Sequence, residues 1–197
     1  MSLQTTLLTS HKGVDLHAAS ALLVMKDRLE GGDRLVNLFR SEMHTFWNDS
    51  VAGGMEKLLN TGRYFNPNKH HYGHFTHGNS GGPWFACDDC RGRAVGQDWP
   101  GALAGTDLDD ANHDSTSLYN LLLGGAPQEE ITAVDVIAFP LGQDGPVLSG
   151  VLWRLLISGD GATAHEIGHS LAVARGRKQG LLINPHMEAW LMAGTEL

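Results

Sequence analysis

The chain has 197 residues, a formal net charge of −8 at pH 7 and a hydrophobic content of 42%. A chain of this length and composition buries a core, in one large domain or two small ones, so disorder is not expected for most of it. The acidic balance excludes a general affinity for nucleic acid or for anionic membrane surfaces, because both require basic patches.

Cellular location is predicted from what the sequence lacks. It does not begin with a basic stretch followed by an apolar one, and no segment reaches the roughly 20 apolar residues that span a bilayer. Its two cysteines, Cys87 and Cys90, form a close pair, which is more often a free-thiol, redox or metal feature than a structural disulfide. We therefore expect a cytoplasmic protein that binds neither nucleic acid nor membranes.

The first part of the chain predicts a hairpin, a helix and a strand. Apolar runs at 21–26 and 34–41 flank a loop with two adjacent glycines, which is typical of a β-hairpin. Apolar residues then recur at helical spacing over 51–59, after N-cap candidates at 48–50. The aromatic segment 63–75 follows as an extended strand.

The last part of the chain predicts the same order of elements. Segments 134–141 and 147–158 form a second hairpin. Asp160 is placed to cap a helix whose apolar residues lie on one face, and 181–192 is the closing strand. Placing Asn66-Pro67 over Asn184-Pro185 aligns the two parts without a gap and makes the predicted helices coincide. Further matched positions are Leu38 with Leu156 and Gly62 with Gly180.

A segment rich in Gly, Asp and turn residues separates the two parts, and a short amphipathic helix is predicted after it, at 115–125. A loop of this length is usually functional or carries structure of its own. We therefore predict a first β-β-α-β unit at 1–78, an insert or linker with the cysteine pair at 79–114, and a second unit at 115–197.

The second unit resembles the PurS family, the small subunit of phosphoribosylformylglycinamidine synthase. The resemblance covers roughly the last 90 residues, and its most specific part is LLINPHMEAW at 181–190. It implies an α+β fold of two ferredoxin-like β-β-α-β units, a divergent tandem duplication with antiparallel sheets and helices on one face. It also implies a non-catalytic bridging or oligomerising protein linked to purine biosynthesis, which pairs through its sheets with copies of itself or with a partner subunit.

A second resemblance is to zinc metallopeptidases, through the motif HEIGH. Such a helix holds Zn²⁺ with two histidines one turn apart, here His165 and His169, while the glutamate between them, Glu166, activates water. The third ligand would be Glu188 or His186. The alternative is that these polar residues form the solvated face of a helix whose apolar residues face the core.

A weaker candidate metal site combines His74 with Cys87 and Cys90. The spacing of the cysteines suits zinc, but a second cysteine pair is missing. The alternative is a set of ordinary polar strand and loop residues. The leading hypothesis is thus a PurS-like protein that needs no cofactor, and the alternative is a zinc-dependent metallohydrolase.

Overall fold

One antiparallel sheet organises the computed structural model, which describes residues 4–47, 54–77, 131–143 and 147–196. Its order is β3-β1-β2-β5-β4-β6, and every neighbouring pair is antiparallel. The described elements are, in chain order, β1 (Gln4–His11), α1 (Leu16–Arg28), a 3-10 turn (Gly32–Arg34), β2 (Leu35–Trp47), α2 (Met55–Asn60), β3 (His70–His77), β4 (Ile131–Pro140), β5 (Val147–Ser158), α3 (Gly161–Ala172) and β6 (Glu188–Glu196). The α+β class is therefore confirmed, with a single sheet shared by both parts of the chain.

The predicted strand at 21–26 is wrong, because these residues lie in the middle of α1. Asp15 caps this helix by accepting hydrogen bonds from the backbone N–H groups of His17 (2.9 Å) and Ala18 (3.1 Å). Met25 is fully buried, whereas Leu23 is 70% exposed. Burial thus follows the helical period, and a short apolar run does not distinguish this period from that of a buried strand. The first part of the chain is consequently β-α-β-α-β.

The second predicted hairpin is confirmed as β4 and β5, and the helix after it as α3. Asp160 caps α3, as expected, because its carboxylate accepts from the backbone N–H of Thr163 at 3.0 Å. Ala164 and Leu171 are both fully buried. They share one face of the helix, so α3 is held against the sheet by its apolar side.

Of the helix predicted over 51–59, the described residues form α2 (Met55–Asn60), with Gly54 before it, whereas 51–53 lie outside the described residues. The N-cap candidates at 48–50 lie outside the described residues, as do the helix predicted at 115–125 and the whole insert at 79–114. No helix in the described ranges is long and apolar enough to cross a membrane.

Helices α1 and α3 pack on the same face of the sheet. Their buried residues join those of β2, β4, β5 and β6 in one hydrophobic cluster. The end of α1 also approaches α3 directly, because a Cβ built on Gly31 would lie 3.2 Å from the Cγ2 atom of Ile167. Behind them, Leu38 of β2 and Leu155 of β5 are paired and buried at 4% and 0% exposure.

The two aligned Asn-Pro segments form the same turn. The carbonyl of Asn66 accepts from the N–H of His70 at 2.9 Å, and the carbonyl of Asn184 accepts from the N–H of Glu188 at 2.9 Å. Each asparagine side chain also accepts from the N–H two residues later, at 2.9 Å and 3.1 Å. The closing strands therefore start at His70 and Glu188, later than predicted, because the Asn-Pro residues form the turn before the strand.

The same alignment does not superpose the helices, contrary to the expectation. It places Met55, the start of α2, on Val173, which is the C-cap of α3. The glycines before the turns do correspond, since Gly62 and Gly180 both have positive φ, at 68° and 71°. The alignment without a gap thus matches equivalent structure in the two parts of the chain only at the closing turn and strand.

Strand pairing is symmetric about the centre of the sheet. Strand β1 lies between the inner strand β2 and the edge strand β3, and β4 lies between the inner strand β5 and the edge strand β6. One row of paired residues crosses all six strands, and the Asn-Pro alignment matches the first residue of this row with the last. This row is Tyr72, Thr9, Glu42, Val151, Ala138 and Trp190.

Gly168 lies where α3 packs closely against the sheet. A Cβ at this position would lie 2.7 Å from Cγ1 of Val134 and 3.2 Å from Cδ1 of Ile157. We expect Gly168→Ala to destabilise the protein by about 1 kcal/mol or more, because overpacking costs about 1–3 kcal/mol and exceeds the gain in helix propensity of up to about 1 kcal/mol. Urea unfolding followed by circular dichroism measures this difference.

The matched control is Gly176→Ala, where a Cβ would meet nothing within 4 Å. Its unfolding free energy should stay within about 0.5 kcal/mol of the wild type. Equal stability of both variants would contradict the close packing at Gly168.

Candidate functional site

The HEIGH motif forms the middle of α3. Of its residues, Gly168 is buried, Ile167 and both histidines are half-buried, and Glu166 is exposed. Ile167 packs beside Gly31 and Gly168 lies against Val134. The two apolar members of the motif are therefore accounted for by helix packing.

His169 has a cationic neighbour. Nη2 of Arg175 lies 3.1 Å from Nε2 of His169; since a guanidinium only donates, Nε2 is the acceptor. Burial, and then the positive charge of Arg175, lower the pKa of His169 below its usual value. The ring is thus held in its neutral form, and the lone pair that would bind a metal is engaged by Arg175.

The proposed third ligands lie in the turn before β6. The Oε2 atom of Glu188 accepts from the backbone N–H of Asn184 at 2.8 Å, so this carboxylate completes the turn. His186 is exposed, and its N–H donates to Asn184 Oδ1. Among the described residues, no group of three or more His, Cys, Asp or Glu side chains is arranged to hold a metal ion.

The second predicted metal site falls mostly outside the described residues, since these do not include Cys87 and Cys90. The backbone of His74 lies on β3, paired with Leu7 of β1. The zinc hypotheses at both places therefore stay predictions.

Two further histidines lie at aromatic contacts in the first part of the chain. Nδ1 of His44 lies 2.9 Å from Oγ of Ser149, and its ring stacks at a tilt on Tyr64. His70 meets His11 edge-on, with 5.2 Å between ring centroids. Burial is the main cause that lowers the pKa of both His44 and His70. The contact of His70 joins β3 to β1 and that of His44 joins β2 to β5, so both histidines have structural contacts.

A cavity of about 240 Å³ lies between β1, the start of α1 and β2. Asp15 and Arg40 line it together with apolar residues such as Leu22 and Leu38. Nη1 of Arg40 lies 3.5 Å from Oδ2 of Asp15, and the two side chains are 15% and 13% exposed. This cavity was not predicted from the sequence, because residues 21–26 were assigned to a strand; the signal available was Asp15 as an N-cap.

A buried ion pair between neighbouring strands was also not predicted from the sequence. Arg154 Nε donates to Oδ1 of Asp135 at 2.6 Å, and Nη2 donates to Oδ2. The two residues are 2% and 0% exposed, on the sheet face opposite the helices, and Nη1 of Arg154 has no hydrogen-bond partner in the part of the chain that the structure describes. The pair fixes the register of β4 and β5 without being open to a substrate.

Comparison with known proteins identifies no relative: no family model, no curated protein and no solved structure matches the chain.

We expect Leu171→Ala and His165→Ala to separate the structural and zinc hypotheses for α3. Leu171 is fully buried, so its truncation should cost about 2–5 kcal/mol through lost burial and the cavity left behind. His165→Ala should cost much less than Leu171→Ala, because His165 is only half-buried and is not part of the hydrophobic cluster. Melting temperatures with and without a chelator test both points. A chelator-sensitive melting temperature that becomes insensitive in His165→Ala would instead establish zinc binding.

We expect Arg175→Met to raise the pKa of His169, because the substitution removes the cation that disfavours protonation of the ring. A lowered histidine pKa contributes stability above the usual value of about 6.5, and this stability is lost as the pH falls towards the folded-state pKa. The wild type should thus lose more stability than Arg175→Met between neutral and mildly acidic pH. NMR titration of the His169 ring measures the pKa. Arg177→Met is the control, and an unchanged pKa in Arg175→Met would contradict the contact.

Proposed function

We propose that the chain is a non-catalytic, PurS-like bridging or oligomerising protein, built as a divergent tandem duplication of a ferredoxin-like unit. The observation that carries this proposal is the symmetric sheet, in which each part ends with the same asparagine turn and contributes its last strand to an edge. The row of pairs that starts at Tyr72 and ends at the matched Trp190 supports the duplication.

The proposed contact surfaces are the two sheet edges, β3 and β6. Each edge strand has one neighbour among the described strands, β1 or β4. The outer side of an edge strand is a place where a further strand is able to pair with a sheet. The partner is a second copy of the chain or a separate subunit, and the role is cytoplasmic and linked to purine biosynthesis, as the PurS resemblance implies.

A zinc-dependent hydrolase remains the alternative function. It would use His165 and His169 as ligands, Glu166 as general base, and Glu188 or His186 as third ligand. The contacts of His169 with Arg175 and of Glu188 with Asn184 favour the bridging proposal, because both would have to break before the side chains bound a metal.

The association test uses proline substitutions at adjacent edge positions. Neighbouring residues of a strand direct their N–H groups to opposite sides, so Met192→Pro and Ala193→Pro affect different edges of β6. One variant should lose stability because it breaks the ladder to β4, and the other should stay folded but lose association. Light scattering after size exclusion measures the molar mass, against 21.2 kDa for one chain.

The matched pair on the other edge is Phe75→Pro and Thr76→Pro, both within β3. We expect a folded proline variant on at least one edge to have a lower molar mass than the wild type. A monomeric wild type at every concentration tested would refute homo-oligomerisation. Unchanged masses in all folded variants would refute pairing through the edges.

A further inference from the structure

The cavity beside α1 exists because β1 is shorter than β2. The ladder between β1 and β2 ends at the pair of Thr9 and Glu42, while β2 extends back to Leu35. Helix α1 crosses this gap and forms one wall, and the start of β2 forms the other. In the second part of the chain, β4 ends at Pro140 and β5 begins at Val147, and this spacing is too short for a helix of the length of α1. The cavity is therefore a property of the first part.

One end of the cavity has positively and negatively charged groups, and the distances between them are long for ion pairs. The Arg40 guanidinium lies 3.5 Å from Asp15 and 3.3 Å from Oε1 of Glu42. Charge-assisted hydrogen bonds are ordinarily about 2.7–2.9 Å long. Oδ1 of Asp15 is used to cap α1, whereas Oδ2 is directed to Arg40. The Arg40 guanidinium and Oδ2 of Asp15 are thus each able to form a shorter hydrogen bond with a ligand.

The other end of the cavity is apolar. Ala18 and Leu38 are buried there at 6% and 4% exposure, and Leu22 is half-buried beside them. Pockets for drug-sized ligands and cofactors usually measure about 300–1,000 Å³. A cavity of about 240 Å³ is smaller than this range and suits a molecule of a few carbon atoms.

We propose that this cavity binds a small zwitterion, an aliphatic α-amino acid. Its carboxylate would replace the long contacts of Arg40, its ammonium would meet Oδ2 of Asp15, and its hydrocarbon side chain would contact Leu22 and Leu38. A singly charged ligand fits less well, because an anion would meet the carboxylates of Asp15 and Glu42 and a cation would meet Arg40. The inference is independent of the bridging role.

Calorimetry with three probes tests the charge requirement. L-leucine carries both charges, 3-methylbutylamine only the ammonium, and 4-methylpentanoate only the carboxylate. We expect L-leucine to bind and to raise the melting temperature, with the two analogues binding at least tenfold more weakly. No binding of L-leucine at millimolar concentration, or equal binding of either analogue, would overturn the proposal.

Two substitutions test the place of binding. Asp15→Asn removes the charge but keeps a residue that caps helices equally well, and Arg40→Met removes the guanidinium. Each should weaken L-leucine binding at least tenfold, while Arg28→Met, at a side chain 77% exposed, should leave it unchanged. Wild-type affinity in both cavity variants would place the binding elsewhere and overturn the assignment.

A second measurement keeps the test decisive if Arg40→Met does not fold. Leucine-induced NMR shifts in the wild type should be largest at the methyl groups of Ala18, Ala19 and Leu22, which line the cavity. Shifts confined to other methyl groups would also overturn the proposal. Arg40→Lys serves as the replacement variant, and its loss of the planar guanidinium should still weaken binding.

Discussion

The ladder between β2 and β5 is the contact on which the rest of the structure depends. It joins the two parts of the chain into one sheet, and its Leu38–Leu155 pair lies beneath the helices. Removing it would separate two three-stranded sheets, each with a newly exposed edge. Because α1 leads into β2 and α3 follows β5, this ladder also determines where both helices lie, and through them the cavity and the HEIGH motif.

Packing of α3 accounts for two residues of the HEIGH motif without any catalytic role. Gly168 allows α3 to approach Val134, and Ile167 fills the space beside Gly31. Of the polar residues of the motif, Glu166 is exposed and both histidines are half-buried, and His169 accepts from Arg175. A pattern that suits a zinc helix is therefore also produced by an amphipathic helix with a glycine where it packs closely against the sheet.

The ion pairs Arg154–Asp135 and Arg40–Asp15 differ in role because their environments differ. Arg154 and Asp135 are almost completely buried and joined by two hydrogen bonds; breaking such a pair costs about 3–5 kcal/mol, because it leaves a charge uncompensated. The Arg40–Asp15 contact is longer and partly open to solvent. An incoming ligand is able to replace it at low cost, which is why the proposed binding site is placed there.

The local sequence was sufficient to predict those elements for which length, apolar content and capping residues indicated the same structure. Segment 147–158 is long and apolar enough for a strand, and Asp160 capping α3 depends only on nearby residues. The run at 21–26 was ambiguous because a buried strand and the buried face of a helix have similar short apolar patterns. Only the tertiary structure decided that β2 pairs with β5, since pairing between distant segments depends on the whole sheet. It likewise brought Asp15 to Arg40, because their contact requires α1 to cross the gap beyond β1.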